Sequence, residues 1–342
     1  MTEAVTIAVD ALGGDNAPVV VLEGLADALA ADENLHVVLC GPAEVVQPFA
    51  DSHERVTARA TTEVIAMGDH PAEAVRTKRD SSIVVGCQLV KDGEAQGFFS
   101  AGSTGACLAA ATLVMGRIKG VKRPCLGQVL PSYSQPTLML DVGANADCKP
   151  EYLVQFAQMG VVYSERILGV KKPRVALLNI GEEETKGSAA ALAAHGLMKE
   201  HVPQFVGNCE GGDVMKGGFD VVVTDGFTGN VCLKAIEGTA KAVFRYVKSA
   251  LVSSTKAKLG ALLVKDSLGE LRNELSPDAY GGAPLLGVKG ACVVGHGSSN
   301  ARAICNGVLF TAKTVRAQVD EAIADAVRAT PAPAEAANTG EN

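Results

Sequence analysis

Residues Val221–Gly238 read VVVTDGFTGNVCLKAIEG, the pattern of a strand that ends in a turn and leads into a helix. The β-branched run Val221–Val223 predicts a short buried strand, and Thr228–Asn230 opens an apolar repeat of helical period. Such a junction leaves backbone N–H groups unpaired at the positive end of a helix dipole, where anions bind. Because no G-x-x-x-x-G-K-[ST] motif occurs there, the stretch predicts phosphate or oxyanion binding unlike that of a Walker loop.

The same alternation of strand and helix continues along the chain. The predicted strands are Val5–Val9, His36–Cys40, Gly97–Ser100, Thr137–Val142, Arg174–Ile180, Asp220–Thr224 and Ala291–Val294. The predicted helices are Val20–Ala31, Ala72–Asp92, Thr104–Met115 and Pro150–Gly169. Short, continuously apolar strands between helices predict an α/β fold, with a mostly parallel sheet covered by helices.

Polar, glycine-rich loops follow five of the predicted strands. They are Asp10–Pro18, Ser100–Ala106, Asp141–Asn145, Thr224–Asn230 and Gly295–Arg302. Ligands of parallel α/β sheets bind at the carboxyl ends of strands, so we expect the loops to converge on one cleft. The candidate phosphate- or substrate-binding residues in them are Asp10, Gly14, Ser103, Thr104, Gly105, Asn145, Thr228, Gly229 and Arg302. A turn with a helix cap would explain the first loop equally well.

Two further side chains are candidates for chemistry, each with a plainer alternative. Lys186 ends the sequence EEETK after a predicted strand, so it either faces a substrate as a cation or is solvated or ion-paired at the surface. His296 stands between two glycines and fits either an acid–base or hydrogen-bond donor role or a structural one. A cation facing the substrate would stabilise the anion that develops during acyl or phosphoryl transfer.

Composition excludes several classes of protein. A net charge of −7 and the absence of tryptophan argue against a nucleic-acid partner. The nine cysteines include no C-x-x-C pair, so we expect buried, reduced thiols and no metal site. The N-terminus lacks a signal-peptide pattern, and no run of 18 apolar residues occurs, so we expect no membrane-spanning segment.

We expect one catalytic α/β unit over residues 1–328, with a protruding helical segment at about 238–275 and a disordered tail at 329–342. In the protruding segment Leu259, Leu262 and Leu263 form an apolar stripe beside Lys256 and Lys258. This pattern fits an amphipathic hairpin that inserts into a lipid surface. A helix packed in a dimer or in the core would also explain it.

Eight motifs in this order resemble the bacterial phosphate acyltransferase (PlsX) family, from about Thr6 to Val327. They are Asp10–Pro18, Arg76-x-Lys78 with Ser81-Ser82, Ser100–Gly105, Leu140–Asn145, Asn179–Gly187, Thr224–Asn230, Gly281–Gly287 and Gly295–Arg302. The resemblance implies a Rossmann-like three-layer α/β/α fold, similar to those of isocitrate/isopropylmalate dehydrogenases and phosphotransacetylases.

The resemblance also implies an activity: transfer of a long-chain acyl group from acyl carrier protein to inorganic phosphate. The acyl phosphate would pass to a membrane glycerol-3-phosphate acyltransferase for phospholipid synthesis. The family's catalytic lysine and asparagine fall on Lys186 and Asn230, and we add His296 as a candidate for protonating the leaving thiolate. A cytoplasmic homodimer, peripherally bound to an anionic membrane and without cofactor or metal, is implied as well.

Because acyl carrier proteins are acidic and this chain is net negative, docking would need a local basic patch. The candidates are Arg76, Lys78, Arg79 and the Lys119–Arg123 cluster. Three alternatives stay open: a phosphotransacylase that uses acetyl- or butyryl-coenzyme A, a nicotinamide-dependent dehydrogenase, and a non-enzymatic membrane scaffold of lipid synthesis. No G-x-G-x-x-G fingerprint supports the dehydrogenase.

Overall fold

The computed structural model describes residues 3–274 and 281–330, which build one eleven-stranded sheet with helices packed against it. The strands are β1 (Val5–Asp10), β2 (Leu35–Gly41), β3 (Val56–Ala60), β4 (Gly97–Ser100), β5 (Cys125–Leu130), β6 (Thr137–Leu140), β7 (Val175–Leu178), β8 (Phe205–Cys209), β9 (Val221–Val223), β10 (Ala283–Leu286) and β11 (Ala291–Val294). Their order across the sheet is β3-β2-β1-β4-β11-β10-β5-β6-β9-β7-β8.

The sheet consists of two parallel halves that run in opposite directions. Strands β3, β2, β1, β4 and β11 are mutually parallel, as are β6, β9, β7 and β8. Strands β10 and β5 lie between the halves, and each pairs antiparallel with both of its neighbours. The predicted α/β fold with a mostly parallel sheet is confirmed, with an antiparallel seam at its centre.

Helices cover both faces of this sheet. They are α1 (Val19–Ala31), α2 (Ala43–Asp51), α3 (Pro71–Thr77), α4 (Ser82–Asp92), α5 (Thr104–Ala110), α6 (Pro150–Tyr163), α7 (Ala189–His201), α8 (Gly226–Leu251), α9 (Thr255–Leu263), α10 (Lys265–Glu274), α11 (Ala301–Arg316) and α12 (Val319–Ala329). Helices α5 and α6 each continue into a π-helical turn, at Ala111–Met115 and Ser164–Leu168. Alternate residues of one strand enter opposite cores: Phe98 packs with α4, and Phe99 with α1 and α11.

All seven predicted strands are present, whereas the single helix predicted over Ala72–Asp92 is wrong. It is divided into α3 and α4, because the residues between them bond to a neighbouring segment rather than to the helix. The Asp80 carboxylate accepts hydrogen bonds from the N–H and hydroxyl of Thr62, and Ser81 forms a β-bridge with Glu63. Strands β3, β5, β8 and β10 were not predicted.

Helix α8 extends far beyond the sheet. Its first part packs against the sheet through Gly229 and Leu233, whereas the residues after Glu237 are almost all exposed. None of the residues of α9 is buried. Residues 275 and 331–342, which belong to the predicted protrusion and tail, lie outside the described residues. Within the described ranges, no helix combines the length and the apolar character needed to cross a membrane.

Candidate functional site

A cleft of about 480 Å³ opens where the two parallel halves of the sheet meet. One wall is formed by loops that follow β4 and β11, and the other by the loop after β6 and the first turns of α8. The polar residues that line it are Asp15, Thr104, Gln128, Asn230, Lys234, Glu237, His296, Ser298 and Ser299. Gly102, Gly105, Gly143, Gly281, Gly282, Gly295 and Gly297 also line it. Loops from different parts of the chain thus meet at one place.

The start of α8 explains how the quoted stretch builds one wall. The Asp225 carboxylate caps the helix by accepting from the backbone N–H of Thr228 at 2.8 Å, and it also accepts from the Thr228 hydroxyl at 2.8 Å. The Gly226 N–H donates to the carbonyl of Asn145. Thr228, a predicted ligand residue, is therefore bonded to the cap and does not line the cleft.

Asn230 lies one turn into α8, and its side chain lines the cleft. Its amide Nδ2 donates to the carbonyl oxygen of Val142 at 3.0 Å. That bond uses one of the two amide hydrogens and orients the Oδ1 atom away from Val142. Asn230 can therefore present a carbonyl oxygen and one N–H to a ligand.

The loop that receives this bond is organised by Asp141, a fully buried carboxylate at the end of β6. It accepts hydrogen bonds from the N–H groups of Leu126, Gly143, Ala144 and Asn145 and from the Asn145 amide. Burial raises the pKa of Asp141, and these hydrogen bonds oppose the rise. The Asn145 amide also donates to the carbonyl of Pro124, so this predicted ligand residue fastens the loop and does not line the cleft.

Asp10 has the position at the end of β1 that Asp141 has at the end of β6. It is buried and accepts hydrogen bonds from the Ser100 hydroxyl at 2.7 Å and from the Leu12 N–H at 3.0 Å. Burial raises its pKa, against the hydrogen bonds from Ser82 and Ser100. Asp10 thus joins two loops behind the cleft, and it is not among the residues that line it.

Gly14 connects the first loop to the one that carries His296. Its φ of 111° is favourable only for glycine, and a Cβ there would stand 3.2 Å from the carbonyl oxygen of Gly297. The neighbouring Asp15 N–H donates to that same oxygen at 2.7 Å. Gly14 therefore permits a backbone contact that holds the loop after β1 against the loop after β11.

The loop before α5 brings Thr104 and Gly105 to the cleft. Ser103 caps α5, since its hydroxyl accepts from the Ala106 N–H. Thr104 is exposed, whereas Gly105 lies against helix α3: a Cβ on Gly105 would approach the Pro71 ring to 2.7 Å. The Ser103 hydroxyl is thus a cap, and Thr104 carries the hydroxyl that faces the cleft.

His296 lines the cleft, and its hydrogen bonds indicate its tautomer. Its Nδ1 atom accepts from the Ser298 N–H at 3.1 Å and lies 2.9 Å from the Ser298 hydroxyl. A neutral ring that accepts at Nδ1 carries its hydrogen on Nε2. His296 can therefore offer an N–H donor to a ligand in the cleft.

Lys186 and Arg302, two predicted cations, do not line this cleft. Lys186 is exposed on the loop after β7, where its carbonyl accepts from the Asn179 amide at 3.0 Å. Arg302 is exposed in the first turn of α11. The structure thus brings Asn230, His296, Thr104 and Gly105 together and leaves Lys186 and Arg302 outside their cleft.

Lys234 and Glu237 line the cleft on α8, and neither is among the predicted site residues. The Lys234 ammonium lies 3.0 Å from a Glu237 carboxylate oxygen. Their spacing from Asn230, four and seven residues, is the signal that could have found them, because residues so spaced share one face of a helix.

No cysteine lines the cleft. Seven of the nine thiols are buried and two are partly buried, and burial raises the pKa of Cys107 to about 12. Over residues 3–274 and 281–330, no group of three or more His, Cys, Asp and Glu side chains is placed to hold a metal ion. The cleft therefore offers hydrogen-bond donors, hydroxyls and one ion pair, but no thiolate nucleophile.

Comparison with known proteins identifies the family. Residues 5–322 match the family described as "Fatty acid synthesis protein". A phosphate acyltransferase of Desulfitobacterium hafniense (strain Y51) is 47% identical over 323 residues, which is 93% of this chain and 96% of that protein. The phosphate acyltransferase of Heliobacterium modesticaldum is 48% identical over 305 residues, covering 88% of this chain and 91% of its own.

Solved structures confirm the likeness to phosphotransacetylases in fold. A phosphotransacetylase from Streptococcus pyogenes superposes with a TM-score of 0.58 at 18% identity, over 91% of this chain and 94% of that one. A branched-chain phosphotransacylase from Enterococcus faecalis gives 0.56 at 13% identity, over 91% and 99%. At such low identity the likeness concerns the fold alone. The matches in sequence along almost the whole chain show that this protein belongs to the phosphate acyltransferase family and is an acyltransferase.

Proposed function

We propose that this chain transfers a long-chain fatty acyl group from acyl carrier protein to inorganic phosphate, giving an acyl phosphate for phospholipid synthesis. The observation that carries the proposal is the cleft, where the Asn230 amide and the His296 imidazole face the glycine-rich loops at Gly105 and Gly297. Such a site suits two reactants that already have the necessary reactivity and need alignment and stabilisation of an oxyanion.

The reaction balances without a nucleophile from the protein. An oxygen of monohydrogen phosphate attacks the thioester carbon, the new C–O bond forms and the C–S bond breaks. The hydrogen of monohydrogen phosphate ends on the departing thiol. Cysteine or serine would be needed only for a covalent acyl intermediate, and none of the nine cysteines, all of which lie in the described residues, lines the cleft.

Each cleft residue has a role in this proposal. Backbone N–H groups and the hydroxyl at Thr104 hold the phosphate, and Asn230 donates its remaining N–H to the thioester oxygen or orients the phosphate. The Nε2–H of His296 donates toward the departing sulfur. Lys186, exposed on the loop after β7, would contribute a cation only if that loop moves toward the cleft when substrate binds or if a second copy of the chain brings it there.

Partners and location belong to the same proposal. The exposed arm formed by the end of α8 and by α9 would pair two copies of the chain and contact an anionic membrane, where a glycerol-3-phosphate acyltransferase takes up the product. Leu259, Leu262 and Leu263 are 64%, 68% and 82% exposed, as expected for side chains that insert among lipids. Of the basic residues considered for docking of the carrier, Lys78 forms a 2.5 Å ion pair with Asp69.

The test is a turnover assay with palmitoyl-acyl-carrier-protein, with and without inorganic phosphate, that follows both carrier thiol and acyl phosphate. We expect both products to form only when phosphate is present. Turnover with acyl-coenzyme A but not with the carrier would instead support a phosphotransacylase. Absence of turnover with either donor would contradict both activities and favour a scaffold.

A further inference from the structure

A second concavity, a groove of about 540 Å³, lies between β3, α3, α4 and the π-helical turn Ala111–Met115. It shares no lining residue with the catalytic cleft. The two are neighbours through α3, which presents Pro71 toward Gly105 of the cleft and Val75 and Arg76 toward the groove. Its size is within the range of about 300–1,000 Å³ that is usual for small-molecule sites.

Six of the thirteen residues that line the groove are apolar. Helix α4 contributes Val84, Val85 and Leu89, and the π-helical turn contributes Leu113 and Val114. Val84 and Leu89 are buried, whereas Leu113 is 52% exposed. Helix α4 has eleven residues, which corresponds to a length of roughly 16 Å. Solvent reaches this apolar surface at Val85, Leu113 and Val114.

Positive charge is concentrated at the end of the groove where α4 begins. Arg76 and Arg79 line this end. Among the described residues, the one hydrogen bond that either side chain makes joins the Nε of Arg79 to the Arg76 carbonyl at 3.3 Å. Within the described part of the chain, neither guanidinium forms an ion pair. The N-terminus of α4 points its dipole to the same end.

The other end of the groove is electrically balanced. Arg59 pairs with Glu94 at 2.6 Å, and Lys91 lies beside Asp92, whose carboxylate accepts from Gln88. Two cations and two anions therefore cancel there. Among the residues that line the groove, one end has two arginines without an acidic partner, the middle is apolar, and the far end has no net charge.

We propose that this groove binds a single-chain anionic amphiphile, a long acyl chain whose carboxylate or phosphate head group contacts Arg76 and Arg79. Arginine guanidinium groups bind both kinds of head group through paired hydrogen bonds. The valine and leucine walls bury the chain, and the balanced far end adds no repulsion. The site is separate from the cleft, so the inference goes beyond the reaction proposed above and does not depend on it.

Binding can be measured directly, because the chain contains no tryptophan. Leu113→Trp would place a single emitter on the wall of the groove. The full-length variant is titrated with dodecyl phosphate, with palmitate and with the neutral dodecyl maltoside, each below its micelle concentration. We expect a saturable change in emission with one or both anions and a much weaker one with the maltoside. The two anions distinguish a phosphate from a carboxylate head group.

Charge reversal supplies the control. Arg76→Glu/Arg79→Glu should weaken binding of the anion by about tenfold or more, which corresponds to about 1.4 kcal/mol. Arg166→Glu/Lys172→Glu makes the same change in net charge at exposed residues away from the groove, and affinity should persist. Equilibrium dialysis of the unsubstituted chain repeats the measurement without the tryptophan.

Several results would overturn the proposal. The proposal is wrong if dialysis detects no saturable binding, if the neutral amphiphile binds with equal affinity, or if both charge-reversal variants lose the same affinity. Binding of an acidic amphipathic peptide where neither amphiphile binds would also contradict it. None of these binding measurements requires turnover, so their outcome is independent of the acyl-transfer assay.

Discussion

Gly229 lies so close to Asp141 that a Cβ atom on Gly229 would stand 1.9 Å from the Asp141 carbonyl oxygen. This contact sets the first turn of α8 directly against the loop after β6. It thereby places Asn230 within hydrogen-bond distance of Val142. The glycine in the Thr-Gly-Asn sequence is thus required by packing, whatever it contributes to ligand binding.

Gly229→Ala should therefore destabilise the protein, because the obstructing atom is backbone and cannot rotate away. We expect a loss of at least about 1–3 kcal/mol in the free energy of unfolding, the usual cost of overpacking. Gly238→Ala, in the same helix but with no atom near the added methyl group, should instead stabilise by about 0.5–1 kcal/mol. Urea unfolding of both variants checks this, and equal effects would contradict the packing argument.

Asn230→Ala should reduce turnover with little effect on stability. The side chain is exposed and donates a hydrogen bond to the Val142 carbonyl. Loss of one donor to a developing oxyanion typically lowers the rate by about 100- to 1,000-fold. The measurements are kcat at saturating phosphate and the melting temperature. The control is Gln47→Ala, at an exposed position of α2. Activity within a few-fold of the unsubstituted enzyme would remove Asn230 from the mechanism.

The ion pair between Asp32 and Arg316 should make stability depend on pH. Burial of Asp32 opposes its ionisation, but the Arg316 hydrogen bond and charge, the Asn34 N–H and Arg55 outweigh it and hold its pKa below the ordinary 3.8. A lowered carboxyl pKa contributes stability that is present above 3.8 and is lost as the pH falls through the native pKa.

Asp32→Asn should therefore cost more unfolding free energy at about pH 7 than at about pH 3. Asp27→Asn, at an exposed position of helix α1, which ends just before Asp32, is the control. Urea titrations of the three proteins at both values of pH give the comparison. If Asp32→Asn costs the same unfolding free energy at both values of pH, the ion pair between Asp32 and Arg316 does not act through ionisation.

Leu259→Glu/Leu262→Glu should weaken attachment to vesicles that contain anionic lipid. Each leucine that is buried among lipids contributes about 1.5–3 kcal/mol to the free energy of membrane binding. The fraction of protein that sediments with vesicles should therefore fall by about tenfold or more. Leu192→Glu/Val206→Glu replaces two exposed apolar residues elsewhere and should leave binding unchanged. Sedimentation equal to that of the unsubstituted protein would assign the leucine stripe to another contact, such as a partner helix.

The regular elements were predictable where one residue type dominates a short run. Val221–Val223 and Gly97–Ser100 appear as strands within a residue of their expected bounds. Strands β5 and β10 were missed because the chain between Cys125 and Leu130 contains a glycine and a glutamine, and Pro284 interrupts Ala283–Leu286. The two strands pair with each other although they lie far apart in sequence, and no local pattern contains that pairing.

The candidate site was predictable as a set of loops but not as a set of contacts. Asn230 and His296 line the cleft as expected for ligand-facing residues. The hydroxyls of Ser103 and Thr228 and the amide of Asn145 bond to neighbouring protein groups instead. A small polar residue beside a glycine has the same local signature whether it caps a helix or holds a ligand.

By itself, the sequence determined the α/β class, the family and the positions of the glycine-rich loops, because apolar periodicity and ordered motifs are local properties of the chain. Tertiary structure alone decided that the two parallel halves run in opposite directions and that Lys234 shares a cleft with His296 while Lys186 lies outside it. It also decided where Arg76 and Arg79 meet an apolar groove. These arrangements depend on strand pairing and packing between segments up to hundreds of residues apart, whose free energies no single stretch contains.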